Sequence, residues 1–270
     1  MEIQPQLLRN INKKERELMS ENRFTKITDG VGLDDLPTTV EQVHGHVIVK
    51  DADTGEILVD KDNLVLMRTR VWLFEQLFKI DAPASLNYTK DNSRSIALFS
   101  IGSGGADINA NPFAPFVPKF SDIELGQRIP FVTVDPDKAN NAESQANPSI
   151  VSSLTSAQKN IYYMPVSNSD GTTPYYAKRF KGATAANPFG SSGKWVIDNY
   201  SGKVAFSLSM NIDKSEARGN VINEIGLWMA TYNSSANTFT NPFLATRICF
   251  DTDSLSSLNK NIEIEYLMYI

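Results

Sequence analysis

The stretch "IGSGGAD", Ile101–Asp107, comes after the apolar run "SIALFS" of residues 95–100, and its reading decides the fold. Glycines after a strand suggest the phosphate cradle of a dinucleotide-binding α/β fold, in which G-x-G-x-x-G opens a helix. The third glycine of that fingerprint would stand at position 107, where this chain has Asp107. The next residues, "INANPFAPFVP", include Pro112, Pro115 and Pro118. Proline lacks the amide donor and clashes with the preceding turn, so no regular helix presents its N-terminal amides to a pyrophosphate. The stretch is therefore expected to be a strand that ends in a tight glycine turn. Gly102, Gly104 and Gly105 are assigned to backbone angles that other residues resist. Asp107 is assigned to turn hydrogen bonding.

The flanking sequence agrees with a β reading. From residue 95 onward, strand candidates are "SIALFSIG", "IPFVTV", "NIYYMPV", "YYAKRF", "KWVIDNY", "KVAFSLSMNI", "NVINEIGLWMAT", "FLATRICF" and "NIEIEYLMYI". Val204, Phe206, Leu208, Met210 and Ile212 alternate with Ala205, Ser207, Ser209 and Asn211. Ile262, Ile264, Tyr266, Met268 and Ile270 alternate in the same way around Glu263 and Glu265. This period of two marks strands with one buried face, typical of antiparallel sheets. Upstream, "HVIVKDADTGEILVDKDN" reads as a hairpin turning on "DADTG". "NLVLMRTRVWLFEQLFKI" then places Leu66, Val71 and Leu73 near Phe74, Leu77 and Phe78, as in an amphipathic helix with a broad apolar face. The chain shows no strand–helix–strand rhythm, which argues against a doubly wound sheet. The expected fold is mainly β: an antiparallel β-sandwich-like domain with one packed helix, plus an N-terminal helical arm.

Residues 1–24 are read as that arm, with Leu7, Leu8, Ile11 and Leu18 on a thin apolar stripe that either docks on a neighbouring subunit or belongs to a helix frayed in solvent. Residues 25–42 read as a linker, and residues 43–270 as the β-rich domain. Its long polar loops at 135–160 and 182–194 suit subunit contacts or binding, because long loops in a compact domain are uncommon. "NPF" recurs at 111–113, 187–189 and 241–243, each copy read as a proline-fixed extended or turn segment with an apolar plug.

Composition narrows the function classes. The chain has 270 residues, 41% apolar and 21% charged, with 14 Phe, 9 Tyr and 3 Trp, which is globular. The net charge of −5 is spread along the chain, so tight nucleic-acid binding has no electrostatic support. Its one cysteine, Cys249, excludes an internal disulfide framework and is expected to be a buried small hydrophobe. The N-terminus lacks a signal peptide's apolar core, and no run approaches a membrane span, so synthesis in a reducing cytoplasm is expected.

Motifs that carry chemistry are few. His44 and His46 fall on the same side of a strand, spaced as strand-borne metal ligands are, but no third ligand declares itself. "DADTGE" has its glycine one place early for a calcium loop, and "GSSGK" at 190–194 lacks P-loop spacing. Neither histidine has a motif-level partner for Ser-His-Asp catalysis. Glu224 in "INEIGLW" and Arg247 in "LATRICF" lie on strands flanking the expected hairpin loop "YNSSANTFTNP". A charge in so apolar a strand is costly unless paired, which predicts a structural Glu224–Arg247 contact.

In this order, "GHVIVKDADTGEILVDKDNLVLMRTRVWLFEQL", "IALFSIGSGGAD", "NVINEIGLWMA" and "FLATRICFD" form a pattern over most of residues 43–270. It resembles virion proteins of tailed bacteriophages, accessory tail, baseplate or collar components. In these, N-x-I/L-V, I-x-x-I-x-x-G-x-G and E-x-G-L motifs precede A-R-I-x-F. The arm and the 135–200 loops lie outside the resemblance. It implies a β-rich structural protein of the virion that assembles in symmetric rings or wedges with other virion proteins, with no enzymatic activity and no cofactor. Two rival readings stand beside it. One is a carbohydrate- or receptor-binding β module using Trp195, Tyr175, Tyr176 and Tyr200. The other is a metal-dependent hydrolase using His44 and His46.

Overall fold

The alternating segments pair with one another. The computed structural model describes residues 43–79, 81, 91–107, 111–135, 150–151, 161–180, 193–198, 203–213, 216, 220–236, 238–251 and 261–269. The expected arm (1–24) and linker (25–42), and most of the 135–160 and 182–194 loops, lie outside these residues. Strand β12 (Lys203–Ile212) runs antiparallel to β15 (Ile262–Tyr269), with Leu208 opposite Tyr266 and Met210 opposite Ile264. In turn, β15 pairs with β1 (His44–Asp51), and β1 with β2 (Ile57–Val65). The turn between β1 and β2 is built on Asp51. Its Oδ1 accepts the amides of Asp53 and Thr54, and Gly55 takes φ 76°. The "DADTG" hairpin is thus set by turn chemistry local to five residues.

The remaining strands are β3 (Ser95–Gly102), β4 (Ala106–Asp107), β5 (Asn111–Pro115), β6 (Arg128–Ile129), β7 (Val132–Val134), β8 (Ile150–Val151), β9 (Tyr162–Pro165), β10 (Thr173–Arg179), β11 (Lys194–Asp198), β13 (Glu224–Asn233) and β14 (Thr238–Cys249). One sheet runs β11-β12-β15-β1-β2-β14-β13-β3-β10-β7-β8, with β6 beside β3 and β9 beside β10, while β4 and β5 form a separate ribbon. The described pairings are antiparallel except β7–β8. The sheet is curled into a half-barrel.

Its two halves meet where the end of β2 leaves β1 and pairs with β14, Val65 opposite Thr246 and Leu64 opposite Arg247. Curling lets both halves bury side chains in one core. Val49, Met210 and Tyr266 come from one half, and Phe99, Leu227 and Ile248 from the other. A second cluster of Leu66, Leu98, Leu125, Trp228 and Leu244 covers the opposite face of β3, β13 and β14. These central strands are therefore buried on both faces, which explains why "IALF" and "LWMA" are continuously apolar while β12 and β15 alternate.

Three expectations are corrected here. The helix, α1 (Met67–Phe78), begins later than expected, because Asn63–Val65 belong to β2. Its first turn has no side-chain cap; the carbonyl of Phe120 accepts the Met67 amide at 3.1 Å, and Thr69 Oγ1 donates to Ala245 O at 2.9 Å. The helix docks through Thr69, Trp72 and Glu75, while Phe74, Leu77 and Phe78 are exposed, Phe74 stacking on Phe78. Of the expected apolar face, Leu66 is buried and Val71 and Leu73 are half-buried, while the Phe74, Leu77 and Phe78 part is turned outward. The β13–β14 loop is also shorter than expected: β14 already begins at Thr238. A bulge at Asn241, φ 51°, absorbs Pro242, which has no amide for the ladder. Of the "NPF" phenylalanines, Phe243 is buried and acts as a plug, Phe113 is exposed, and Phe189 lies outside the described residues. Among the described residues, no helix is long and apolar enough to cross a membrane.

Candidate functional site

The glycine-rich stretch does hold an anion, and that anion is part of the chain. Ile222–Glu224 leads into β13, beside the end of β3, and brings a fully buried Glu224 carboxylate under the 102–105 turn. Glu224 Oε1 accepts the amides of Gly104 (3.0 Å) and Gln127 (2.9 Å). Oε2 accepts the amide of Gly126 (3.0 Å) together with Arg247 Nε (3.0 Å) and Nη2 (2.7 Å). A carboxylate offers about four lone-pair sites, so five donors leave it saturated. Inward-pointing amides of two facing turns make the same kind of concave nest that elsewhere binds phosphate.

Arg247 completes the arrangement from β14, where it lies opposite Gly226. Its Nη1 donates to Asp122 Oδ2 at 2.8 Å, and Nη2 reaches Gly104 O at 3.3 Å. Burial opposes the guanidinium's charge, yet the neighbouring Cys249, Glu224 and Asp122 outweigh it and hold its pKa above the ordinary value. Asn223 ties the same loop by a second route. Its Oδ1 accepts the Gly105 amide at 2.6 Å, and its own amide donates to Gly102 O at 3.0 Å.

The structure therefore brings Glu224, Arg247, Gly102, Gly104 and Gly105 into one junction. It corrects the reason for the glycines. Among the described glycines only Gly55 and Gly171 have positive φ. A Cβ on Gly102 would lie 2.4 Å from Glu224 Oε1, one on Gly104 2.4 Å from the Gln127 nitrogen, and one on Gly105 1.9 Å from Asn223 O. Close approach of backbone to backbone and to the carboxylate excludes a side chain at these positions. The contributions of Asp122, Gly126 and Gln127 lie in no recognisable motif, because they are supplied across the fold, whereas Asn223 stands beside Glu224 in "INEIGLW".

Other polar groups are paired elsewhere. His46, on β1, has Nδ1 2.9 Å from Asp62 and Nε2 2.8 Å from Asp60, so both ring nitrogens face carboxylates. His44 starts β1, and its side chain lies outside the described residues. Among those residues, no group of three or more His, Cys, Asp or Glu is arranged to hold a metal ion. Burial pushes the Cys249 thiol up to about 11, Arg247 only partly countering it, so the thiol stays protonated near neutrality.

Lys178 and Glu216 form a buried pair at 2.7 Å that sequence reading missed. Glu216 also accepts the Asp213 amide and the Tyr162 hydroxyl, whose pKa is pushed up by burial and then by the Glu216 charge. Arg179 sits against the rings of Tyr163, Tyr232 and Phe239, 4.8–5.3 Å from their centroids. Of the aromatic residues suggested as a sugar platform, Trp195 packs on Phe206 and Tyr176 under Arg128, and Tyr200 lies outside the described residues. Seven strands of the sheet order separate β11, which carries Trp195, from β10, which carries Tyr175 and Tyr176. Comparisons with protein-family models, with curated proteins and with solved structures each return no match.

Proposed function

We propose that the chain is a structural component of a tailed-phage virion, in the tail, baseplate or collar, that works by assembling with itself and with other virion proteins and not by catalysis. The observation that carries this reading is the saturated Glu224 carboxylate. The most site-like constellation among the described residues spends every lone pair on internal donors. The motifs "INEIGLW", "TRICF" and "IGSGGAD", on which the virion resemblance rests, are thereby parts of one lock that stiffens a sandwich-like β body. A rigid body suits repeated use in a symmetric particle.

Exposed Phe74, Leu77, Phe78, Phe116 and Val117 add apolar surface of the kind that partner proteins cover. In this reading the 1–24 arm and the 135–160 and 182–194 loops make further contacts between subunits. The test is reconstitution with neighbouring virion proteins. Removal of residues 1–24 is expected to leave the β domain folded, by circular dichroism, while particles incorporate it poorly. Full incorporation of the truncated chain would remove the arm from the reading. Turnover of a substrate that is lost on Glu224 or His46 substitution, with the fold intact, would overturn the reading itself.

A further inference from the structure

We infer that strand β11 is a self-pairing edge, through which two copies of this chain join antiparallel and continue one sheet across a dyad. Among the described residues β11 pairs with β12 alone and ends the sheet order. Its outer backbone groups are a template for another strand. Natural edges are usually blunted by proline, by bulges or by several charges. This one has no proline and no bulge within its five residues, "KWVID", and its two charges are of opposite sign and stand at its ends. It instead exposes two large apolar side chains, Trp195 at 69% and Ile197 at 61%.

The charge order of the strand identifies the occupant. Lys194 and Asp198 stand at its two ends, with Val196 at the centre. Antiparallel pairing about a dyad through Val196 sets Lys194 across from Asp198 of the partner subunit, twice per dimer. It also sets Trp195 across from Ile197 of the partner subunit, an aromatic–β-branched pair of the kind that stabilises sheets. Parallel in-register pairing would oppose lysine to lysine and aspartate to aspartate. The strand is thus complementary to itself in one orientation only, the orientation that a closed twofold dimer requires.

The inference rests on the assembly reading only in supposing contact between copies, and the experiment separates the two. Sedimentation of the full chain across a concentration series measures dimerisation of the wild type, Lys194→Asp, Asp198→Lys and the double exchange. Each single reversal replaces two attractive pairs by two repulsive ones. It is expected to weaken dimerisation by about 10-fold or more, and the double exchange to restore it to within about threefold. Thermal unfolding checks that each variant is folded. For any that is not, Trp195→Thr supplies the same test, with loss of dimer expected. A wild type that stays monomeric, reversals without effect, or a double exchange that fails to restore association would each overturn the edge pairing. A variant that cannot dimerise yet still enters particles with neighbouring virion proteins supports it as a contact between copies alone. A wild-type monomer that enters those particles leaves the assembly reading standing and the edge pairing refuted.

Discussion

Replacing Glu224 by alanine should be among the most destabilising single changes in this chain. The substitution removes one carboxylate and strands three backbone amides, of Gly104, Gly126 and Gln127, in a region where Glu224 is 0% exposed. Each buried donor left without a partner costs about 1–3 kcal/mol. Arg247 loses its bidentate partner but keeps Asp122, so its charge is not wholly orphaned. Breaking a buried pair by removing one partner costs about 3–5 kcal/mol, and water can reach part of the gap because Asp122 is not fully buried. The expected loss is therefore about 4 kcal/mol, a large share of the roughly 5–15 kcal/mol that holds a domain together. For a domain of this size that corresponds to a fall of roughly 8–16 °C in the thermal midpoint.

Glu224→Gln sharpens the test. Its carbonyl oxygen can keep Gly104 and Gln127, while its amide group faces Gly126 N–H and two Arg247 donors. The expected loss is about 2–3 kcal/mol, the desolvation cost of those donors. Urea unfolding, tracked by the fluorescence of buried Trp228, measures both, together with Arg247→Met and the double variant. Close pairs in one network couple, so the double variant should be more stable than the two single losses predict by at least about 1.5 kcal/mol. Additive losses, or a Glu224→Ala loss below about 1 kcal/mol, would refute the lock.

Gly105→Ala should destabilise by about 3 kcal/mol or more, since its Cβ meets immobile backbone of Asn223, whereas Gly55→Ala, strained by φ 76° but in open space, should cost about 1 kcal/mol; chemical denaturation gives the order, and a reversed order would return the glycine argument to backbone angles. Cys249 should resist a thiol reagent at pH 8 in the folded protein and react fully in denaturant, because burial raises its pKa to about 11; prompt labelling of the native chain would contradict its burial. Burial alone would raise the pKa of Asp91, but hydrogen bonds from Ser93, Thr231 and Asn241 outweigh that and hold it at about 2, below the value of about 3.9 for a free aspartate. A depressed folded pKa contributes stability that is complete above about pH 4 and is lost as the pH falls towards 2. The stability gap between wild type and Asp91→Asn should narrow over that window, and a gap constant from pH 5 to 2 would refute it.

What the sequence determined by itself is what short-range physics controls. Period-two alternation in residues 203–212 and 262–270 depends only on which side of a strand faces water, and the Asp51–Gly55 turn closes on its own side chain. The Glu224–Arg247 contact was also legible, because a charge in an apolar strand needs an opposite one and the two strands are joined by a short hairpin. Tertiary structure decided the rest. Amphipathicity in residues 67–78 separates two faces of a helix but does not say which one meets the sheet. That was settled by Thr69 bonding to Ala245 O and Trp72 packing on the core, while Phe74 and Leu77 stay exposed. The glycine loop is the clearest case. Its composition announces close approach to something, yet the amides of Gly126 and Gln127, the side chain of Asn223 and the carboxylate of Glu224 come from distant parts of the chain. Only the curled sheet brings them to Ile101–Asp107, where an internal carboxylate occupies the place that a phosphate would take.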